Sequence, residues 1–399
     1  MREFSFSLNQ SKLVSCVVLR TSLVIMNLLF FCIAAVIGSD PSEIDSGDYS
    51  HIVVIPDVHG DKEAFLRSLW LAQAKIEPGS RRDFAAFSSA FTEAIKDVNR
   101  PGKPLDTLRD NVMLVQMGDL VDRGPFGEEC VKIMQVVPAV LGWHTKQLIG
   151  NHELLNVPGS RRGETGDLFI TGSPLRAELN SKFLVSAKLS GFVNAGTITQ
   201  ETNPNTLFVH AGMNVEWLEK YGWALNDLNR IIQTALAGDD SNTLSAFHKQ
   251  RARGSPVWMR EFAIPYASGD RVKGTVDEEL CLPGLDALLK QLGVVRIVVG
   301  HMPIEDRVVK SRCGGKLFLT DVKLSRWMGA GTSAEAKPTA LVFEMALGGT
   351  LKSIVAYYSD IHGQHQTQTV LSSAVQPPVK RSMKDRFMKM VKGLWSWIH

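Results

Sequence analysis

An α/β layered fold with a mixed sheet is what this sequence predicts. Three observations lead there. Between residues 51 and about 360, short β-branched runs alternate with helix-like text, the pattern of strand-loop-helix units. Two late runs, 339–345 and 351–358, follow one another closely enough to pair as a hairpin. The 399 residues are 44% hydrophobic and 21% charged, a globular composition that excludes collagen, low-complexity disorder and disulfide miniproteins.

The elements follow in order. HIVVIP (51–56) reads as a short buried strand, with a helix to Lys75. Residues 77–110 read as an insertion, with a helical segment at 83–98 between Pro/Gly-rich flanks. VMLVQM (112–117) is a second strand, followed by a helix from about Phe126. KQLI (146–149), LFVHAG (207–212) and VVRIVVGH (294–301) repeat the theme. The late hairpin closes the body, and residues 361–379, rich in Gln, Ser, Thr and Pro, read as a linker.

Net charge is +3, from 44 basic and 41 acidic residues, so no global field calls for nucleic acid as a partner. The chain has five cysteines and no CxxC. Cys130, Cys281 and Cys313 are scattered and read as packing residues rather than a metal cluster.

Both ends are distinctive. Within 1–40, Arg2, Lys12 and Arg20 precede an 18-residue uncharged run, 21–38, that ends in small residues. A secretory signal peptide has this layout. The run is also just long enough for an uncleaved anchor, and Met26 offers an alternative start. Either reading sends the body across a membrane, toward the secretory pathway or a membrane-associated setting. The one N-x-S/T sequon, at Asn9, precedes the apolar run. At the other end, 380–399 carries six Lys or Arg against one Asp. Met383, Phe387, Met390, Val391, Leu394 and Ile398 recur on one helical face beside Trp395 and Trp397. A basic amphipathic helix of this kind suits an anionic membrane surface, a partner's groove, or packing on the body with solvated lysines.

The chemistry collects where the strand runs end. Asp57 and His59 follow the first, Asp119, Asp122 and Arg123 the second, Asn151, His152 and Glu153 the third. His210 and His301 follow the next two. In α/β sheets, ligand groups gather beyond the carboxyl ends of strands. One His or one Asp-Gly there is ordinarily structural; five strands delivering ligand-type residues to one rim are not explained by packing. Oxygen and imidazole donors without thiolate suit Mn, Fe or Zn. Val58 separates Asp57 from His59, so both can face one ion. Two ions about 3.5–4 Å apart share a carboxylate and make a water nucleophilic at neutral pH. Arg123 is a natural fork for phosphate. The combination points to phosphoester hydrolysis.

DVHG, GDLVDRG, GNHE, HAG and GH, in this order over roughly 51–345, resemble the metallophosphoesterases of the calcineurin-like superfamily. GDLVDRG and GNHE are similar to the PPP-type protein phosphatase pattern. GHMP (300–303), SPVWMR (255–260), the missing SAPNY-type tail motif and the long first inter-motif segment look most like the bacterial-like Shewanella-like protein phosphatases. The resemblance implies a layered αββα sandwich, with mixed β-sheets flanked by helices, across 51–360. It implies two divalent metal ions: Asp57 and His59 on the first, Asp119 bridging, and Asn151, His210 and His301 on the second. It implies Arg123, Arg260 and Asn151 on the phosphoryl oxygens, and a bridging hydroxide as nucleophile. His152, oriented by Asp122, would be the general acid, and a carboxylate-bound imidazolium suits that role. Arg260 rests on one short match and competes with a surface arginine. Asp321 resembles the acidic residue of the branch's last motif and competes with a turn residue. Glu153 reads as an anchor behind the ligands. Pro56 stands where the usual pattern has Gly.

The leading expectation is a metal-dependent phosphatase acting on a phosphoprotein substrate at Ser, Thr or Tyr. The alternatives are a diadenosine-polyphosphate hydrolase and a non-enzymatic, membrane-tethered scaffold.

Overall fold

The computed structural model describes residues 49–78, 83–101, 111–155, 196–197, 199–202, 205–237, 240–248, 254–262, 284–328, 336–346, 349–360 and 365–372. The segments 1–40 and 380–399 lie outside these residues. Among the described residues no helix is long and apolar enough to cross a membrane.

The strands are β1 (His51–Ile55), β2 (Val112–Gln116), β3 (His144–Gln147), β4 (Thr199–Thr202), β5 (Thr206–Val209) and β6 (Arg296–Val299). They continue with β7 (Lys310–Arg312), β8 (Leu317–Leu319), β9 (Thr339–Met345), β10 (Leu351–Ser359) and β11 (His365–Ser372). The helices are α1 (Lys62–Ile76), α2 (Phe84–Ala94), α3 (Gly127–Leu141), α4 (Asn151–Leu155), α5 (Val215–Tyr221), α6 (Leu228–Ala237), α7 (Ser241–His248) and α8 (Leu285–Leu292).

Two mixed sheets form, flanked by helices. One has the order β11-β10-β9-β1-β2-β3, the other β4-β5-β6-β8-β7. In the first, β1, β2 and β3 run parallel, and β9 turns antiparallel beside β1. In the second, β5, β6 and β8 run parallel, with β4 and β7 antiparallel at its edges. The continuous apolar runs of the central strands follow from burial on both faces; every residue of β2 and β6 is buried. Phe343 of the first sheet meets Phe208 and Phe318 of the second, ring centroids 5.8 and 6.1 Å apart. These rings lock the two sheets face to face.

Local sequence sets the helix ends. Asp61 caps α1 by accepting from Ala64 N at 3.2 Å, and Asp83 caps α2 by accepting from Ala86 N at 2.7 Å. Both satisfy N–H groups that a helix start leaves orphaned. α3 stops at Gly142, whose φ of +74° continues no helix.

Three readings of the sequence need correction. The helix placed at 83–98 ends at Ala94, with Phe87 and Phe91 fully buried in the main core. Residues 361–379, expected as a linker, contain β11, which pairs with β10 from Ser353 to Ser359. Its alternating Gln and Thr mask a strand because an edge strand needs no apolar face; Gln368 instead takes a 2.8 Å bond from the Tyr358 hydroxyl. Cys313 is disulfide-bonded rather than a plain packing residue, whereas Cys130 is free and buried as expected.

Candidate metal centre

The site forms at the carboxyl ends of six parallel strands, three from each sheet. β1 leads to Asp57 and His59, β2 to Asp119, β3 to Asn151 and His152, β5 to His210, β6 to His301 and β8 to Asp321. All of these residues are buried. The centre thus straddles the seam between the sheets.

The backbone there is held in unusual conformations. His59, Asp119, Asp122, Arg123 and His301 all have φ between +47° and +68°, a region that non-glycine residues seldom occupy. Hydrogen bonds fix it. Val58 N and His59 N both donate to the Asp119 carbonyl, at 3.0 and 2.8 Å. Glu153 takes N–H bonds from Asp119, Leu120 and Gly150 at 2.8 Å and from Val121 at 3.3 Å. It is the anchor the sequence suggested. Burial and the charge on Asp119 push its carboxyl up to about 7. Gly118 must be glycine: at its φ of +91° an added Cβ would lie 2.7 Å from His210 Nδ1 and 2.8 Å from Gly150 N. Pro56 is tolerated because the β1 ladder ends at Ile55, so no strand N–H is lost.

Two groups converge on Asp119. Ligand atoms of Asp119, His210 and His301 lie within 4.8 Å of one another, and so do those of His59, Asp119 and His152. Asp119 Oδ1 is 3.4 Å from His210 Nε2, and Oδ2 is 3.7 Å from His59 Nε2. Asp57 joins through Oδ2, which accepts from His301 N at 3.0 Å. Burial, then Asp321 and Asp119, push the Asp57 carboxyl well up, and burial with Asp119 holds Asp321 at about 6.

The donor set fits divalent metal. His210 Nδ1 lies 2.7 Å from the Met117 carbonyl, which can only accept. Nδ1 therefore carries the proton, and Nε2 offers a lone pair. That lone pair faces Asn151 Oδ1 at 3.1 Å. With Asp119 Oδ1, 3.4 Å from that nitrogen, three lone-pair atoms meet here with no proton between them, which a cation reconciles. Asp57 Oδ1, Asp321 Oδ2 and His301 Nε2 are buried without partners, as open ligand positions require. Burial holds the imidazoles of His59, His210 and His301 below the ordinary histidine value, hence neutral and ligand-ready.

His152 differs. Burial pulls its imidazole down, but Asp119 and Asp122 outweigh that and hold it above the ordinary value. Its Nδ1 is 2.8 Å from Asp122 Oδ2, which leaves Nε2 facing the centre, 3.8 Å from Asp119 Oδ2.

The arginines are less tied. Arg123 Nε is buried without a partner. Arg260 is exposed, with Nη1 3.0 Å from Met302 Sδ, in the field of Asp119 and Asp321. Asp321 is buried, 1% exposed; its Oδ1 accepts the turn bond from Lys323 N at 3.1 Å, and its Oδ2 has no partner.

Two supports carried no signal in the sequence, and a third lies within SPVWMR. Gln116 donates from Nε2 to the Gly118 carbonyl at 2.8 Å and accepts from Gly118 N at 3.0 Å, clamping the turn before Asp119. Arg326 donates to Asp61 Oδ2 from N and Nε, at 2.9 and 3.0 Å, and to Glu63 Oε2 at 2.9 Å. Trp258 meets the His301 ring edge-on at 5.8 Å. The tryptophan in SPVWMR was the one available signal for these.

The chain matches the calcineurin-like phosphoesterase family over residues 50–305. That range holds every candidate ligand but Asp321. The chain belongs to the calcineurin-like phosphoesterase family. An uncharacterized protein of Schizosaccharomyces pombe is 26% identical over 285 residues, covering 69% of this phosphoesterase and 80% of the relative. A cold-active protein-tyrosine phosphatase of a psychrophilic Shewanella species is 18% identical, covering 83% of this chain and 84% of its own, with a TM-score of 0.49. A protein serine/threonine phosphatase from Saccharomyces cerevisiae is 13% identical, covering 85% and 86%, with a TM-score of 0.42.

Proposed function

We propose that this phosphoesterase is a metal-dependent phosphoprotein phosphatase of the bacterial-like, Shewanella-like branch. The observation that carries the reading is Asp119, shared by two ligand groups, with Arg123 and the His152–Asp122 pair beside it. GDLVDRG and GNHE support the PPP type, and HAG, GHMP and SPVWMR support the branch.

In this reading Asp57 and His59 would hold one divalent ion, Asn151, His210 and His301 the other, and Asp119 would serve both. Mn, Fe and Zn all suit the donors. Bound ions of this kind lower the pKa of water and offset phosphoryl charge. Arg123 and Arg260 grip the phosphoryl oxygens, with Asn151 nearby, and disperse the charge that grows during transfer. Asp321 adds a carboxylate on the side of Asp57. His152 gives its proton from Nε2 to the leaving oxygen, while Asp122 holds the ring at Nδ1.

The test is turnover of the purified full chain with Mn²⁺ on phosphoserine, phosphothreonine and phosphotyrosine peptides and on diadenosine tetraphosphate. Metal-dependent release of phosphate from a peptide is the expected result. Cleavage of the dinucleotide alone would sink the reading in favour of a nucleotide hydrolase. Silence on all four substrates by metal-loaded protein would favour a tether.

The N-terminal apolar run and the basic C-terminal segment support a membrane-associated or secretory setting. Deleting 380–399 should release the protein from anionic vesicles and leave small-phosphoester turnover unchanged. Unchanged vesicle binding would rule the segment out as the contact.

A further inference from the structure

Resting on the phosphate-gripping role read above for Arg123, we infer that Arg326 and Trp327 are positioning residues for that arginine. Three loops meet at Gly124. One follows β1 and carries His59, Gly60 and Asp61. One follows β2 and carries Asp122, Arg123 and Gly124. The third follows β8, passes Asp321 and ends in the short 3-10 turn Arg326–Met328. The first two pass backbone to backbone: Gly124 N donates to the His59 carbonyl at 2.9 Å, and Phe126 N to the Gly60 carbonyl at 3.1 Å. The third loop closes on the same glycine. A Cβ added to Gly124 would lie 2.5 Å from Trp327 Cδ1 and 2.6 Å from the carbonyl oxygens of His59 and Gly60. The Gly124 backbone is thus gripped between the indole and the loop that carries His59, with no room for a side chain.

Arg326 fixes where the indole sits. One edge of its guanidinium, Nε and Nη2, spans two carboxylates: Asp61 Oδ2 at 3.0 Å and Glu63 Oε2 at 2.9 Å. Its backbone N–H donates to the same Asp61 oxygen at 2.9 Å. Asp61 is buried, and its other oxygen caps α1, so the turn is tied to a fixed element. Trp327 N then donates to Ser325 Oγ at 3.1 Å. The backbone that this arrangement braces is strained. Asp122 and Arg123 have φ of +68° and +65°, conformations that persist only where the surroundings over-determine them. Arg123 Nε is buried without a partner, so no bond at that nitrogen aims the side chain and the backbone beneath it must. Gly124 N closes that turn by also donating to the Asp122 carbonyl at 2.8 Å. Loosening the grip on Gly124 therefore loosens the aim of Arg123, and small misplacements of a positioned group are costly.

The probe is inorganic phosphate, its dissociation constant read by calorimetry on the Mn²⁺-loaded full chain, with bound metal counted by elemental analysis. Arg123→Ala is the reference and should weaken phosphate binding; if it does not, the phosphate-gripping role of Arg123 falls, and the positioning role with it. Trp327→Ala should raise the dissociation constant roughly 10-fold, within the range for coupled neighbours, at unchanged metal content. Trp327→Phe, which keeps a ring edge against Gly124, should restore it. The double variant Arg123→Ala/Trp327→Ala should bind phosphate no more weakly than Arg123→Ala alone, because a residue that acts through Arg123 then has nothing left to aim. Wild-type affinity in Trp327→Ala, or further weakening in the double variant, overturns the inference and leaves the role of Arg123 standing. If Trp327→Ala does not fold, Arg326→Lys takes its place in the same cycle, with the same outcomes, since lysine keeps the charge but lacks the planar edge that spans both carboxylates.

Discussion

Asp119→Asn should cut phosphoester turnover by about 10³-fold or more while leaving the fold intact. Asparagine matches aspartate in size and keeps one oxygen, so the bond that Asp119 Oδ1 accepts from His152 N at 2.9 Å can persist. What it loses is the negative charge and the second oxygen. Asp119 is the residue common to both candidate ligand groups, so one substitution weakens both at once. Removing one source of transition-state charge stabilisation typically costs 10²–10³ in rate; loss of a shared ligand should exceed that. Stability gives an independent readout. Without metal, the charge on Asp119 pushes up the carboxyls of Asp57, Glu153 and Asp321, which is like-charge repulsion in a buried place. In chelator the variant should therefore melt at or above the wild-type temperature. With Mn²⁺ at 100 times its Kd, wild type should gain about 2.7 kcal/mol for each ion bound, and the variant much less. Bound metal is counted by elemental analysis. Full metal content together with retained turnover would defeat the dinuclear centre.

The candidate ligands were legible as one cluster because each sits just past a short apolar run, and topology does the rest. A strand that ends in DVH or GNH delivers those side chains to one rim whatever its neighbours are. Asp57, His59, Asp119, Asn151, His210 and His301 therefore meet as their positions implied. What was not legible depends on contacts between distant residues. Arg326 reaches Asp61 and Glu63 across more than 260 residues, and its own neighbourhood in the sequence says nothing of either. Gln116 looked like one more strand residue, because its clamp on Gly118 follows from a left-handed turn that a pattern of residue types does not reveal. β11 was read as linker for the opposite reason: its pairing rests on backbone bonds to β10, and backbone bonding leaves little trace in polar text.

His152→Asn should lower kcat by roughly 10²–10⁴ on an alkyl phosphoester, the range for loss of a positioned proton donor, and far less on p-nitrophenyl phosphate. The contrast follows from the leaving group. A serine alkoxide must be protonated as it departs, whereas a nitrophenolate leaves without help. The geometry favours donation from Nε2. Asp122 Oδ2 occupies Nδ1 at 2.8 Å, so the ring's other nitrogen is the one turned to the centre. The charges of Asp119 and Asp122 outweigh burial and hold this imidazole above its ordinary value, so the protonated form persists further toward neutral pH. His59, whose ring lies 4.8 Å away, is pushed the other way by burial and by Arg123. Two neighbouring imidazoles thus end in opposite states, one suited to donate a proton and one to offer a lone pair. If His152 were instead a metal ligand, His152→Asn would lower bound metal and depress both substrates alike. Equal losses on the two leaving groups would therefore remove the general-acid role, and a deficit confined to the alkyl ester, at full metal content, would secure it.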